Sequence, residues 1–215
     1  MTELYWATVT PLMRNVMRSV GQSGLYPRFY LAGGTALALQ LGHRRSVDLD
    51  FFSETDEVRP ETHREVLHVL QAYQPTIVEQ AWGNLLLLAQ DLHVGFFGYG
   101  YPLVAPTALA KGVPLASLFD IGLMKLDALA SRASRKDFYD LYAIAQHIPL
   151  RKLLELAPAK YPTARDFEPM VVRHMVFFDR AEQEEPLPLF HKLDWATVKA
   201  FFREQSLALG REWLA

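Results

Sequence analysis

The stretch that decides the fold is residues 29–53, FYLAGGTALALQLGHRRSVDLDFFS. Its beginning predicts a short strand over residues 27–32, which the pair Gly33 and Gly34 ends. Residues 35–41 then predict a helix, and residues 47–52 predict a second strand. A strand, a glycine pair, a helix and another strand therefore follow one another without a long connection.

Two aspartates lie in the second predicted strand. Asp48 and Asp50 are two residues apart, so their carboxylates project from one face, roughly 6.6 Å apart along the strand. Two such oxygen donors suit one hard cation or a pair of cations, and Mg²⁺ is the natural choice where phosphates share the site. The alternative is an acidic strand face that meets only water, and an Asp-x-Asp pair alone does not decide between them.

The glycine pair stands where a strand turns into a helix. Backbone N–H groups at a helix N-terminus bind phosphate, and Gly33 and Gly34 would let a phosphate approach closely. Thr35 adds a hydroxyl, either as a helix cap or as a phosphate ligand. The basic turn with Arg44 and Arg45 precedes the aspartates, where it would meet a triphosphate, a nucleic-acid backbone or only solvent.

The remaining chain predicts a change of architecture near residue 105. Further helices before it are expected over residues 3–21 and 60–71, and short strands over 76–80, 84–90 and 92–97. After residue 106 only helices are expected, over residues 117–132, 136–147, 166–181 and 194–213. The prediction is an α+β fold, with a short mixed sheet and helices over residues 1–105 and an all-helical domain over residues 106–215.

Composition excludes several classes of protein. The 215 residues are 50% hydrophobic and 21% charged, as in globular proteins that need no disulfide or metal staple. The sequence has no cysteine, which excludes disulfide frameworks, thiolate zinc sites and cysteine nucleophiles. A net charge of -2 gives no overall positive field, so nucleic-acid binding would need a local patch. No membrane span or signal peptide is predicted, and the expected location is cytoplasmic.

A second informative block covers residues 120–142, DIGLMKLDALASRASRKDFYDLY. Lys125 lies on an otherwise apolar helix face, where its ammonium either meets a phosphate or an aspartate, or snorkels past the core. Asp137 and Asp140 share one face of the next helix. Asp140 could also pair with Lys136 at the surface, and Asp137 could serve only as an acidic residue at the helix N-terminus.

Both blocks carry a resemblance to a known family. The glycine pair followed by two aspartates on a strand resembles the signature of the DNA polymerase β-like nucleotidyltransferase superfamily, and the two blocks together look like the AbiEii/AbiGii family of nucleotidyltransferase toxins. The resemblance implies a minimal nucleotidyltransferase domain that uses an NTP and Mg²⁺ to transfer a nucleoside monophosphate to an acceptor. It also implies a toxin of a toxin–antitoxin or phage-defence system, with a cognate antitoxin; some relatives modify tRNA.

The resemblance also implies a role for each candidate residue. Asp48 and Asp50 bind Mg²⁺. From the helical domain, Lys125 and Asp140 contribute to the cleft: Lys125 neutralises developing charge and Asp140 orients Lys125 or the acceptor, with Asp137 nearby. On this interpretation Lys125→Ala removes activity and leaves the fold intact. The residues expected to hold the nucleotide phosphates are Gly33, Gly34, Thr35, Arg44, Arg45 and Arg135.

One position departs from the superfamily pattern. A third carboxylate usually comes from a later strand, and Gly95 stands at the corresponding place. Either Asp91, Asp137 or Asp140 substitutes for it, or the site binds its cation through two aspartates only.

Three other functions compete with this interpretation. A nucleotidyltransferase acting on a small molecule such as an antibiotic would share the first block. A degenerate relative would bind a nucleotide or a partner without catalysis, although Asp48, Asp50 and Lys125 argue against that. A haloacid-dehalogenase-like phosphatase expects a long apolar strand before its aspartates, whereas residues 42–47 here read GHRRSV.

Overall fold

A computed structural model describes residues 3–212. The chain forms two compact units, which divide between Ser117 and Leu118. The helices of the first unit are α1 (Pro11–Gly21), α2 (Gly33–Leu41) and α3 (Pro60–Leu70). Its strands are β1 (Tyr30–Leu31), β2 (Asp48–Ser53), β3 (Thr76–Ala81), β4 (Asn84–Ala89), β5 (Leu92–Gly98), β6 (Ala108–Ala110) and β7 (Val113–Leu115).

The strands of the first unit form one mixed sheet in the order β3-β4-β5-β2-β1-β7-β6. Strand β2 lies between β1, which is antiparallel to it, and β5, which is parallel to it. Strand β1 is paired on its other side with β7, in parallel, through Leu31 and Leu115. The strand that carries the two aspartates is therefore held from both sides.

One face of β2 packs into the core of the first unit. Leu49 and Phe51 are fully buried, and the ring of Phe51 stacks on that of Phe96 at 4.9 Å between centroids. Phe29 meets Phe96 edge to face at 5.3 Å. Each such side chain contributes roughly 1.5–3 kcal/mol through burial. This packing fixes which face of β2 points outward, and the aspartates lie on that outward face.

The helix predicted over residues 3–21 is wrong in its first half. Residues Trp6–Thr8 form a 3₁₀ turn, and α1 begins only at Pro11. Proline lacks the N–H that an earlier helical turn would use and suits the first helical position. The Thr10 hydroxyl accepts a hydrogen bond from the Met13 N–H at 3.2 Å and caps the helix.

The prediction that no strand follows residue 106 is also wrong. Strands β6 and β7 form a hairpin that joins the sheet of the first unit. For this reason the division between the compact units falls after Ser117 and not at the expected residue 105. The local sequence around Ala108 and Leu109 does not predict a strand. These residues form β6 because they pair with β7, which in turn pairs with β1.

The second unit contains only helices over the residues that the structure describes. They are α4 (Leu118–Ser131), α5 (Arg135–Ala145), α6 (Leu150–Lys160), α7 (Phe167–His174), α8 (Asp179–Gln183) and α9 (Trp195–Glu212). Helix α6 was not predicted, because Pro149 and Pro158 interrupt the pattern; Pro149 precedes the helix and Pro158 lies in its last turn. The helix expected over residues 166–181 is divided into α7 and α8.

The strand predicted over residues 27–32 is reduced to Tyr30–Leu31, because residues 24–28 form a turn. The other helices and strands lie close to their expected positions. The mixed sheet with helices, followed by a helical unit, confirms the α+β prediction. Trp213, at the end of the last predicted helix, lies outside the described residues. Within residues 3–212, no helix has both the length and the hydropathy that crossing a bilayer requires.

Candidate active site

Strand β2 presents its two aspartates as its sequence pattern predicted. Along Asp48–Ser53 half-buried and buried residues alternate, so Asp48 and Asp50 lie on the face opposite Leu49 and Phe51. The Asp48 carboxylate makes no hydrogen bond or ion pair with any residue that the structure describes. A half-buried carboxylate beside a second one, without a protein partner, is available to a cation.

The glycine pair lies directly against this acidic face. Gly33 opens α2 with a φ of 64°, in the left-handed region that favours glycine. A Cβ atom added to Gly33 would lie 3.0 Å from Oδ2 of Asp50, and one added to Gly34 would collide with the guanidinium of Arg44. The start of α2 is therefore bordered by a carboxylate on one side and a guanidinium on the other.

The two arginines of the basic turn have different surroundings. Arg44 is 7% exposed, and its Nη1 donates to the carbonyl oxygen of Arg45 at 3.0 Å. Arg45 itself is exposed. Arg44 thus belongs to the glycine turn, and Arg45 lies at the surface beside it.

Thr35 has a structural role that its sequence position did not reveal. It is 2% exposed, and its hydroxyl is hydrogen-bonded to the Ser46 hydroxyl at 2.7 Å and to the main-chain carbonyl of Asp48. These bonds tie α2 to the beginning of β2. Of the two roles expected for Thr35, the structure provides neither a cap of the helix N-terminus nor an outward-facing hydroxyl.

The structure shows what occupies the place of the missing third carboxylate. In the parallel pair of β2 and β5, Asp48 is level with His93 and Asp50 is level with Gly95. A Cβ atom on Gly95 would approach the Phe97 ring to 2.5 Å. The ring of Phe97 therefore occupies the space that an aspartate at position 95 would need. Asp91 is exposed in the turn before β5 and not on the paired strand.

The donor set still fits a magnesium ion that is shared with a nucleotide. Within residues 3–212 no group of three His, Cys, Asp or Glu side chains is arranged to hold a metal ion by itself. Mg²⁺ is commonly bound through one or two carboxylates, with substrate phosphates and water completing its shell. Asp48 and Asp50, with a glycine turn suited to phosphate next to them, match that mode.

The second block forms a buried ionic cluster inside the helical unit. The Lys125 ammonium, on α4, donates to Oδ1 of Asp137 at 3.0 Å and lies 2.7 Å from Oδ2 of Asp140, both on α5. Lys125 is 5% exposed, and both aspartates are fully buried. The expected anionic partner of Lys125 is therefore a pair of aspartates, and Asp140 contacts this lysine instead of forming a surface pair with Lys136.

Two further residues, Arg132 and Ser134, complete the cluster. Arg132 donates to Asp137 through Nε at 2.9 Å and through Nη2 at 3.0 Å. The Ser134 hydroxyl donates to the same carboxylate at 2.7 Å. The signal for Ser134 was available, since Ser-x-x-Asp at the start of a helix is a capping pattern.

Arg135 does not join this cluster. Its Nε donates to the carbonyl oxygen of Ala181 at 2.8 Å, and its guanidinium lies 5.3 Å from the ring centroid of Trp195. The backbone N–H of Arg135 donates to Glu184 at 2.8 Å. Arg135 therefore fastens α5 to neighbouring parts of the helical unit, and Arg132 is the arginine that contacts the predicted aspartates.

Ionic partners hold Asp137 in its charged form. Burial alone would raise the pKa of Asp137, but the charges of Lys125 and Arg132, with hydrogen bonds from Arg132 and Ser134, outweigh it and hold the pKa well below its usual range. A carboxyl whose pKa is lowered on folding stabilises the protein above its unfolded pKa of about 3.9. This contribution is lost as the pH falls through the lower folded value.

This cluster predicts a pH dependence of stability. Asp137→Asn is expected to unfold at lower urea concentration than the unsubstituted protein at neutral pH, and the difference should shrink as the pH falls below about 4. Urea unfolding followed by circular dichroism at several pH values measures it. Asp166→Asn, at an exposed aspartate of the same unit, is the control and should follow the unsubstituted protein throughout. A constant difference for Asp137→Asn at all pH values would contradict the assignment.

Comparisons with known proteins agree with this geometry. A family model described as "Nucleotidyl transferase AbiEii toxin, Type IV TA system" matches residues 15–81 and 102–213. An uncharacterized protein of Aquifex aeolicus is 31% identical over 199 residues, which cover 89% of this chain and 93% of that protein.

Solved structures share the fold at low sequence identity. MenT4, a nucleotidyltransferase toxin from Mycobacterium tuberculosis, superposes with a TM-score of 0.66 at 18% identity, over 93% of this chain and 82% of that one. JHP933 from Helicobacter pylori gives a TM-score of 0.57 at 17% identity, over 94% of this chain and 90% of that one. At these identities the likeness establishes a common fold.

Proposed function

The chain belongs to the AbiEii nucleotidyl transferase toxin family, which confirms the resemblance, and on that premise we propose that it transfers a nucleoside monophosphate from an NTP to an RNA acceptor such as tRNA. An acceptor oxygen attacks the α-phosphorus, the bond to the bridging oxygen of the β-phosphate breaks, and pyrophosphate leaves. The acceptor proton passes to solvent or to a nearby carboxylate. Membership of a toxin family also favours a cognate antitoxin and action in the cytoplasm, with growth arrest or phage defence as its outcome.

The observation that supports this proposal most directly is the position of the glycine pair. Phosphates placed at the start of α2 would meet backbone N–H groups, with the Asp50 carboxylate on one side and the Arg44 guanidinium on the other. Together these features suit a triphosphate whose cation is held by the carboxylate. Arg44 offsets its negative charge, and Gly33 and Gly34 let it approach the backbone.

The proposed magnesium site consists of Asp48 and Asp50. When bound there, Mg²⁺ would neutralise phosphate charge and orient the groups that react. The protein's residues then need only to position the reacting groups and to stabilise the charge that develops, which is how phosphoryl-type transfers are generally catalysed. Thr35 and Ser46 support the site indirectly, because their hydrogen bonds hold the first residue of β2 against α2.

The helical unit is proposed to supply the second set of functional residues. By family resemblance Lys125 neutralises developing charge, and Asp140 orients it. The short contacts of Lys125 with Asp137 and Asp140 support a positioning role for the two aspartates. Arg132, which binds Asp137 with two donors, adds to that role.

Label transfer tests the proposed function. The protein is incubated with Mg²⁺ and each of four α-labelled NTPs, in the presence of total tRNA, and label is measured on the RNA and on the protein. We expect label on RNA from one or two of the NTPs, with none from Asp48→Ala or without Mg²⁺. NTP binding without label on RNA would refute an RNA acceptor. Label on the protein alone would indicate that the acceptor is a protein, either this chain or its partner.

A further inference from the structure

A basic pocket lies in the first unit, outside the residues discussed so far. It has a volume of about 400 Å³, and none of the described residues that line it is acidic. The residues that line this pocket, which we call the N-terminal basic pocket, are Trp6, Pro11, Arg14, Asn15, Arg18 and Lys111. Three cations thus gather at one place in a chain whose net charge is -2.

These three cations have no acidic partner. Among the residues that the structure describes, no carboxylate forms an ion pair with Arg14, Arg18 or Lys111. Trp6 holds two of them together, because the Arg14 guanidinium lies 5.8 Å and the Lys111 ammonium 5.0 Å from its ring centroid. An aromatic ring attracts cations at its face and so offsets part of their mutual repulsion. The remaining positive charge makes the pocket attractive to an anion.

The three cations are not equivalent. Arg14 Nη2 donates to the carbonyl oxygen of Trp6 at 2.5 Å and to that of Val9 at 3.3 Å, and the Arg14 side chain is only partly exposed, so these bonds hold the guanidinium in place and it contributes mainly charge. Arg18 is exposed and uses Nη1 for the Asn15 side chain at 3.1 Å, which leaves its other donors available. Lys111 is exposed in the turn between β6 and β7. Arg18 and Lys111 are therefore the residues that can contact an anion directly.

Hydrogen bonds connect this pocket to the candidate active site. The 3₁₀ turn Trp6–Thr8 lies beside the loop between α2 and β2, since the Ser46 N–H donates to the carbonyl oxygen of Thr8 at 3.0 Å. The Tyr5 N–H donates to the carbonyl oxygen of Leu39, in α2, at 2.8 Å. The same Ser46 is hydrogen-bonded to Thr35 at the other side of that loop. One short turn of chain thus separates the pocket from the loop that leads into β2.

We propose that the N-terminal basic pocket binds the phosphate backbone of the RNA acceptor, which rests on the proposed function. Arg18 and Lys111 contact phosphates, Arg14 adds positive charge, and Trp6 keeps the cations together. The two exposed cations come from different elements, Arg18 from α1 and Lys111 from the turn between β6 and β7, which suits successive phosphodiesters of a backbone. Because Arg18 and Lys111 contact phosphates and not base edges in this proposal, binding is expected to be largely independent of sequence.

The test measures RNA binding directly, without NTP. A fluorescein-labelled RNA hairpin with a single-stranded 3′ end is titrated with the full chain at several salt concentrations, and anisotropy gives the affinity. The variant Arg18→Glu/Lys111→Glu is expected to bind at least about 10-fold more weakly, with the slope of log affinity against log salt reduced by about 1.4, as loss of two phosphate contacts predicts. Trp6→Ala should weaken binding, and Trp6→Phe should retain most of it.

The control variant is Arg64→Glu/Lys152→Glu, which has the same net charge. Both residues are exposed and lie on helices outside the pocket. Unchanged affinity of the pocket variant, or equal loss in both double variants, would overturn the proposal. Asp48 lies outside the pocket, so Asp48→Asn should bind RNA as the unsubstituted protein does. If the unsubstituted protein bound RNA through the pocket but transferred no nucleotide to it, the proposed function would be refuted and the RNA-binding site would stand. Equal thermal midpoints of the variants confirm that they are folded.

Discussion

Asp48→Asn is expected to lower the rate of nucleotidyl transfer at least about 1,000-fold while leaving the fold unchanged. The substitution replaces one of the two carboxylates proposed to hold Mg²⁺, and loss of several kcal/mol of charge stabilisation corresponds to that factor. The fold should survive because the Asp48 carboxylate has no hydrogen-bond or ionic partner among residues 3–212. The measurement is the initial rate of label transfer from the preferred NTP, beside the thermal midpoint.

The matched control for this substitution is Glu79→Gln. Glu79 is an exposed carboxylate on β3 of the same sheet, where it accepts a hydrogen bond from Asn84 at 2.9 Å. Its conversion to an amide should leave the rate within about twofold, because β4 and β5 separate β3 from β2 in the sheet. The thermal midpoint should also stay nearly unchanged, since surface substitutions rarely change stability by more than about 0.5 kcal/mol. A folded Asp48→Asn variant with the activity of the unsubstituted protein would show that β2 does not carry the metal site.

Lys125→Met is expected to destabilise the helical unit by about 3–5 kcal/mol. It removes the ammonium that Asp137 and Asp140 share, and both carboxylates are fully buried. For a unit of this size, such a loss lowers the thermal midpoint by more than about 10 °C. The burial of Lys125 thus revises the expectation that its removal would abolish activity and spare the fold. Differential scanning calorimetry of the full chain measures the effect.

Two further variants distinguish a structural role of Lys125, in a buried ionic cluster, from a role as an exposed phosphate ligand. Lys136→Met, at an exposed lysine of α5, should leave the midpoint nearly unchanged. Lys125→Met combined with Asp137→Asn and Asp140→Asn should regain part of the lost stability, because the uncompensated buried charges are removed with the lysine. If Lys125→Met melted like the unsubstituted protein, the cluster would have no structural role and Lys125 would act only on substrate.

Local patterns in the sequence predicted the residues of the first unit that lie on regular structure. The alternation in β2 predicted that Asp48 and Asp50 share a face, because every second side chain of a strand points the same way. The glycine pair predicted the turn into α2. Neither signal could reveal that Arg44 lies over Gly34, since this contact depends on how the loop folds back and not on any periodicity.

Long-range pairing explains what the sequence did not predict. Lys125 needed an anionic partner, but only the packing of α4 against α5 determines that it is Asp137 together with Asp140. The sequence shows that Gly95 stands where a carboxylate is expected, whereas only the folded strand shows that the ring of Phe97 fills that space. Helix α6 is not predicted because a proline inside a helix usually breaks it. Pro158 lies in the last turn of α6, where the helix accommodates it.

The hairpin of β6 and β7 has a consequence for how the first unit could be separated from the rest of the chain. A fragment that ended at residue 105 would lack β7, and Leu31 of β1 would lose its neighbour Leu115. The backbone of β1 would then form a bare sheet edge, and such edges are templates on which other chains add strands and aggregate. Strands β6 and β7 therefore cover β1, and a first unit that keeps β1 paired on both sides requires the chain as far as Ser117.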